Sequence, residues 1–244
     1  MTRHLIVNAD DFGQSPSVNR GVIEAHERGI VTSASLMVRW PAAVEAATYA
    51  RARPQLSVGL HVDLGEWTFR DGAWAARYEV VPLGDAARVS EELDRQLAAF
   101  RGLLGRDPTH LDSHQHVHRD QPAREALLDR ARRLGIPVRH DSPAVRYSGQ
   151  FYGQTGEGEP LPEAISLDAL SALLRSLRPG VTELGCHPAS GDDLDSTYRA
   201  ERPRELAVLC DPRLKALIAS EGIALCSFRD VTSGLVTATC GRRT

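Results

Sequence analysis

Leu56-Ser57-Val58-Gly59-Leu60-His61-Val62-Asp63-Leu64 separates into two faces. In an extended strand, residues two apart point the same way. Leu56, Val58, Leu60, Val62 and Leu64 then share an apolar face, while Gly59, His61 and Asp63 share the other. Such a strand packs its apolar side on outer helices and turns its polar side toward a functional lumen, as in a parallel barrel. The fold class read from it is α/β, with the strand as one stave of a parallel barrel.

The remainder of the chain repeats the same alternation of elements. Leu5-Ile6-Val7-Asn8-Ala9-Asp10 reads as a buried strand that ends at Gly13. A helix follows, capped by Ser15, with Pro16 at its first position and Gly29 as its stop. Further strands are read at 30–38, 136–140, 181–188 and 223–228. Further helices are read at 42–53, 85–104, 121–134, 166–177 and 204–220, the last interrupted at Pro212. Residues 66–84 and 141–162 read as long loops carrying Trp67, Trp74, Tyr147 and Tyr152. Neither an internal repeat nor a linker divides the chain, so residues 1–244 read as a single domain built on a parallel sheet. Polar candidates fall at the ends of many strands, which favours a barrel over an open sheet with one switch point. No GxGxxG follows the first strand, which argues against a dinucleotide fold.

Composition narrows the function classes. A net charge of −3, with 29 basic residues spread along the chain, gives no footprint for a nucleic-acid partner. Mean hydropathy is −0.28, and no apolar run is long enough to span a membrane. Residues 1–4 lead straight into a strand without a signal-peptide pattern, so a cytoplasmic protein is expected. Cys186, Cys210, Cys226 and Cys240 have no CxxC spacing and read as reduced, structural residues. Cys186 beside His187 reads as packing rather than as a nucleophile. Nothing in the composition sets the oligomeric state, which leaves a homodimer open.

His110-Leu111-Asp112-Ser113-His114-Gln115-His116-Val117-His118 carries four of the nine histidines on alternating positions. Read as a strand, it crowds one face with imidazoles and the Asp112 carboxylate, which suggests a metal or acid–base site. Asp10 and Asp11 are adjacent carboxylates at the end of the first strand, and they repel unless something separates them. A divalent metal resolves this, one carboxylate binding the ion and the other acting as general base. His61 and His114 are the best imidazole ligands, and one Asp with two His leaves open positions for catalysis. His114 with His116 is the rival pair. His110 or Asp112 could orient a ligating imidazole through its second nitrogen. His187 could protonate a leaving group, and Arg139 with His140 could bind an anionic or hydroxyl-rich group.

Five stretches occur together and in order: Asn8-Ala9-Asp10-Asp11-Phe12-Gly13, Gly29-Ile30-Val31-Thr32-Ser33, Gly59-Leu60-His61, Thr109 through His118, and Cys186-His187-Pro188. The chain thereby resembles the YdjC-like carbohydrate deacetylases, which include chitooligosaccharide deacetylases, and it is also similar to a branch associated with hopanoid biosynthesis. The resemblance runs from residue 5 to about residue 231. It implies a distorted (β/α) barrel, TIM-barrel-like and of the glycoside hydrolase/deacetylase type, and hydrolysis of N-acetyl groups on sugars with one divalent metal ion, Mg2+ or Zn2+. It also implies Asp11, His61 and His114 as metal ligands, Asp10 as general base and His187 as acid. Asp112, His116, His118 and Arg139 are then substrate-facing or support the ligands. One departure is Gln115, where the resembling chitooligosaccharide enzymes carry His. A metal-dependent phosphoesterase and a metal-binding sugar sensor without catalysis are the competing classes.

Overall fold

The computed structural model describes residues 2–191 and 193–236, so the expectation for Cys240 lies outside the described residues. The chain runs β1 (Arg3–Phe12), α1 (Pro16–Glu27), β2 (Ser33–Leu36), α2 (Ala43–Ala52), β3 (Ser57–Val62), β4 (Gly65–Arg70), β5 (Ala73–Glu79) and α3 (Ala86–Leu104). It continues through β6 (Leu111–Ser113), α4 (Ala123–Leu134), β7 (Val145–Ser148), α5 (Leu167–Arg175), β8 (Gly180–Cys186), α6 (Arg202–Leu209), α7 (Pro212–Ser220), β9 (Ile223–Leu225) and α8 (Phe228–Thr232).

Seven strands form one parallel sheet in the order β6-β3-β2-β1-β8-β7, with β9 beside the start of β1. β1 is central and buried from Leu5 onward, as its continuous apolar run requires of a strand covered on both faces. Along one edge β9 pairs with Arg3–Leu5 and β2 takes over from Asn8. No strand pair joins β6 to β7 among the described residues, so the sheet is an open, curled half-barrel with helices outside. The expected distorted barrel is therefore what the chain forms.

The two faces of β3 separate as the alternation predicts. Val58, Leu60 and Val62 join the apolar cluster that includes Ala46 and Ala50 of α2 and Val89, Leu93 and Phe100 of α3. On the inner side, Gly59 leaves room for the His110 ring: a Cβ there would lie 2.4 Å from its Cε1. His110 in turn stacks on Phe228, centroids 3.7 Å apart, and closes the interior below the site. The expected cap at Ser15 also holds, and later helices are punctuated in the same way. The Ser15 and Asp85 side chains accept from Val18 N and Arg88 N, and Gly105 and Gly135 end α3 and α4 with left-handed φ.

Three expectations need correction. The histidine run is a strand only to Ser113; a 3-10 turn covers His114–Arg119, with Gln115 and His116 at φ 50° and 55°. The Ser113 hydroxyl accepts from His118 N (3.0 Å) and meets His118 Nδ1 (2.6 Å), a local bond that competes with the strand ladder. Alternating faces therefore end at residue 113. Residues 66–84 are mostly the β4–β5 hairpin, whose Asp71-Gly72 turn has positive φ at both positions (52° and 78°). The Asp-Gly dipeptide was its signal. Residues 136–140 contribute only one bridge, Val138 to Leu111, while β7 lies inside the segment read as a loop because Val145–Ser148 pair with β8.

Candidate active site

A cavity of about 820 Å3 opens at the C-terminal ends of the strands, and Asp10, Asp11, His61, His114, His116 and His187 all line it. Asp10 and Asp11 sit where β1 loses register with β2 between Ala9 and Phe12, and Asp11 takes φ 64°. That kink aims two consecutive carboxylates at different partners. Both Asp10 oxygens accept from Arg139, Oδ2 from Nη1 at 2.6 Å and Oδ1 from Nη2 at 2.7 Å. Asp11 Oδ2 accepts from Arg202 Nη2 at 2.6 Å. The repulsion between the two carboxylates is thus relieved first by two buried arginines.

Asp11 Oδ1 faces two imidazoles, His114 Nδ1 at 3.0 Å and His61 Nε2 at 3.3 Å. Asp11, His61 and His114 each present one donor atom, and these lie within 4.8 Å of one another. Asp112 Oδ1 accepts from His61 Nδ1 at 2.8 Å, which leaves Nε2 toward Asp11, the arrangement that supports a ligating imidazole. Asp112 is itself held by Ser35 Oγ (2.7 Å) and Arg139 Nη2 (2.8 Å). One carboxylate and two imidazoles, oriented and nearly dry, fit a divalent ion. Asp10, His61 and Asp112 also lie close enough to form a second set. There the Arg139 guanidinium already contacts both carboxylates, whereas Asp11 Oδ1 faces only imidazoles.

The electrostatics follow the same partners. Burial raises the Asp10 and Asp11 pKa values, but Arg139 beside Asp10 and Arg202 with His114 beside Asp11 outweigh it and hold both carboxyls low. Burial pulls His61 and His114 down, yet the facing carboxylates outweigh it and push them up, to about 10 and about 9. These carboxylates favour positive charge where the two rings meet. Glu183, which accepts from Arg139 Nη2 at 2.6 Å, is pushed up to about 7 by burial.

His187 follows the end of β8 with Nε2 3.8 Å from Asp10 Oδ2. Glu205 accepts from its backbone N and lies 3.8 Å from its Nδ1, while the rings of Tyr152 and Tyr198 flank the imidazole. Arg139 is not free to bind a ligand: it is fully buried among Asp10, Asp112 and Glu183. His118 is buried between Ser113 and the Arg139 carbonyl, so it faces no substrate. His116 turns toward Tyr147 and His140, and the His114–His116 pair does not converge.

Sequence reading passed over Arg202, Glu205, Glu183, Glu66 and the role of Gln115. Glu183, Gly185 and His187 repeat the spacing of Gly59, His61 and Asp63, an inner-face signal that was available in the sequence. Arg202 and Glu205 are buried residues of α6, and nothing in that helix's local sequence marks them out. Gln115 reaches the hairpin, its Nε2 donating to Trp67 O and its Oε1 accepting from Trp67 N, both at 2.8 Å.

Four histidines near the site carry lowered pKa values, and acid stability should record it. Burial brings His110 and His118 to about 4, and His116 and His140 are lowered as well, chiefly by burial. Between pH 6.5 and 4 the unfolded chain binds more protons at these groups, so stability rises with pH there and is lost on acidification. His110 alone accounts for about 3 kcal/mol across that window. Glu183 opposes the trend with a single proton over an overlapping window. The urea midpoint at pH 4.5 is expected to fall well below that at pH 7, and His110→Gln is expected to flatten the difference.

Comparison with known proteins places the chain in a family. A family model described as YdjC-like protein matches residues 4–220. The chain belongs to the YdjC-like family. Among its YdjC-like relatives is a carbohydrate deacetylase of Geobacillus stearothermophilus, 37% identical over an alignment covering 94% of this chain and 98% of that protein. Another is a chitooligosaccharide deacetylase of Serratia marcescens, also 37% identical, covering 95% and 100%. A solved structure from Enterococcus faecalis V583, a candidate cellobiose-phosphate cleavage protein, superposes with a TM-score of 0.78 at 28% identity and covers 97% and 100% of the two chains. A family 4 carbohydrate esterase from Streptomyces lividans shares the fold at a TM-score of 0.56 and 16% identity. No helix among the described residues is long and apolar enough to cross a membrane.

Proposed function

We propose that this YdjC-like protein is a metal-dependent carbohydrate deacetylase that removes N-acetyl groups from a sugar or oligosaccharide. The names of its relatives support the activity. The observation that carries the mechanism is the convergence of two imidazoles on one oxygen of Asp11, beside a second carboxylate held by its own arginine. In this reading Asp11, His61 and His114 hold one divalent ion. Bound there, the ion supplies Lewis acidity that acidifies water and polarises the acetyl carbonyl.

The chain's own groups move the protons. Asp10, kept ionised by Arg139, accepts a proton from the attacking water at Oδ2, and the water oxygen bonds to the carbonyl carbon. His187, 3.8 Å from that oxygen and backed by Glu205, delivers a proton to the amide nitrogen as the C–N bond breaks. Acetate and a free amino sugar leave. Asp112 fixes the His61 ring, and Arg139 ties Asp10, Asp112 and Glu183 into one unit, so base and ligand support hold a common geometry. We further read residues 1–244 as one domain working in the cytoplasm.

Acetate release across a panel of N-acetylated sugars tests the proposal. A chelator is expected to abolish it, and separate addition of Zn2+ and Mg2+ to the stripped protein identifies the working ion. Acetate release that survives complete metal removal would refute the metal-dependent reading.

A further inference from the structure

We infer that the tip of the β4–β5 hairpin is a stacking subsite for a second sugar ring, which makes the protein selective for oligosaccharides over a single N-acetylated sugar. This rests on the proposed deacetylase activity and assigns residues to chain-length recognition. A two-stranded hairpin outside the main sheet is marginal by itself. This one is fastened at several points. Gln115 grips the Trp67 backbone from the turn that carries His114, and Tyr78 donates to Asp63 Oδ1 at 2.9 Å. Arg77 meets Glu66 at 3.2 Å and Asp195 at 2.9 Å. The hairpin is therefore a preformed shelf.

At its tip Phe69 pairs across the strands with Trp74, edge to face, centroids 5.6 Å apart. Both side chains line the cavity that holds Asp10, His61 and His114, yet Trp74 is 59% exposed. An exposed Trp74 ring backed by the half-buried Phe69, on a fixed support lining a cavity, is a surface awaiting a cover. The flat C–H face of a pyranose suits it, and Arg70 and Glu157 line the same cavity with donors and acceptors for hydroxyl groups. Position along the shelf separates this surface from the chemistry. Glu66 lies 3.7 Å from His114 Nε2, and three residues of strand place Phe69 about 10 Å further out. A ring whose acetamide sits at His114 does not reach the tip; a neighbouring ring of the same chain does.

The test compares N-acetylglucosamine with tri-N-acetylchitotriose on the metal-loaded protein. Trp74→Ala is expected to lower the ratio of kcat/KM for trisaccharide over monosaccharide about tenfold, through KM rather than kcat, and Trp74→Tyr to restore most of it. An unchanged ratio, an equal loss on both sugars, or an altered sedimentation profile with the ratio intact would overturn the inference. Calorimetry with the Asp10→Asn protein keeps the test independent of turnover. If the wild type releases acetate from neither sugar on this panel, weaker trisaccharide binding on adding Trp74→Ala still supports the shelf, and unchanged binding rejects it.

Discussion

Asp10→Asn is expected to retain metal and lose about 10²–10⁴-fold in kcat, with little change in KM. Asp10 Oδ2 lies 3.8 Å from Nε2 of His187, the proposed acid, and both Asp10 oxygens are gripped by Arg139. The amide is nearly isosteric but cannot accept a proton from water. Its NH2 group also faces the guanidinium N–H groups. Removing one partner from a buried ion pair ordinarily costs several kcal/mol because the remaining charge is stranded. Here Arg139 keeps Asp112 and Glu183, so folding should survive. Steady-state kinetics, with metal analysis and a melting curve on the same sample, checks all three points. Near wild-type turnover would remove Asp10 from the base role.

His114→Ala is expected to abolish stoichiometric metal binding together with activity. The variant chooses between the two sets of converging donors. His61 belongs to both, so its removal is uninformative about which set binds, whereas His114 belongs only to the set with Asp11. If the ion lies against Asp11, losing His114 should weaken affinity by more than the roughly 10–100-fold typical of a supporting residue such as Asp112. Metal analysis of the dialysed variant, backed by titration calorimetry, gives the answer. Undiminished metal content would move the ion to Asp10, His61 and Asp112, displacing Arg139 from between the two carboxylates.

The elements most readable in advance were those where burial acts within one segment. The alternation in β3 predicted both its apolar back and its inner face of Gly59, His61 and Asp63, since side-chain direction in a strand depends only on parity. The cap at Ser15 was equally local. The histidine run misled for a related reason. Alternation stops at residues that a serine side chain and two left-handed backbones take out of the strand. His118 then becomes structural and His116 turns to Tyr147, while His114 swings toward Asp11.

By itself the sequence determined an α/β chain of parallel strands, Asp10, Asp11, His61 and His187 at strand ends, and membership of the YdjC-like family through its motifs. Only the tertiary structure decided which of these groups meet. Sheet order β6-β3-β2-β1-β8 brings His61, Asp10 and His187 around one cavity with Asp112 behind His61, and the turn after β6 adds His114. Two arginines, Arg139 and Arg202, divide the adjacent carboxylates between them across separations of 129 and 191 residues. Local pattern reports how a segment meets the core. It carries no information about which distant segment lies beside it, because that follows from strand order and from turns whose geometry side chains elsewhere impose.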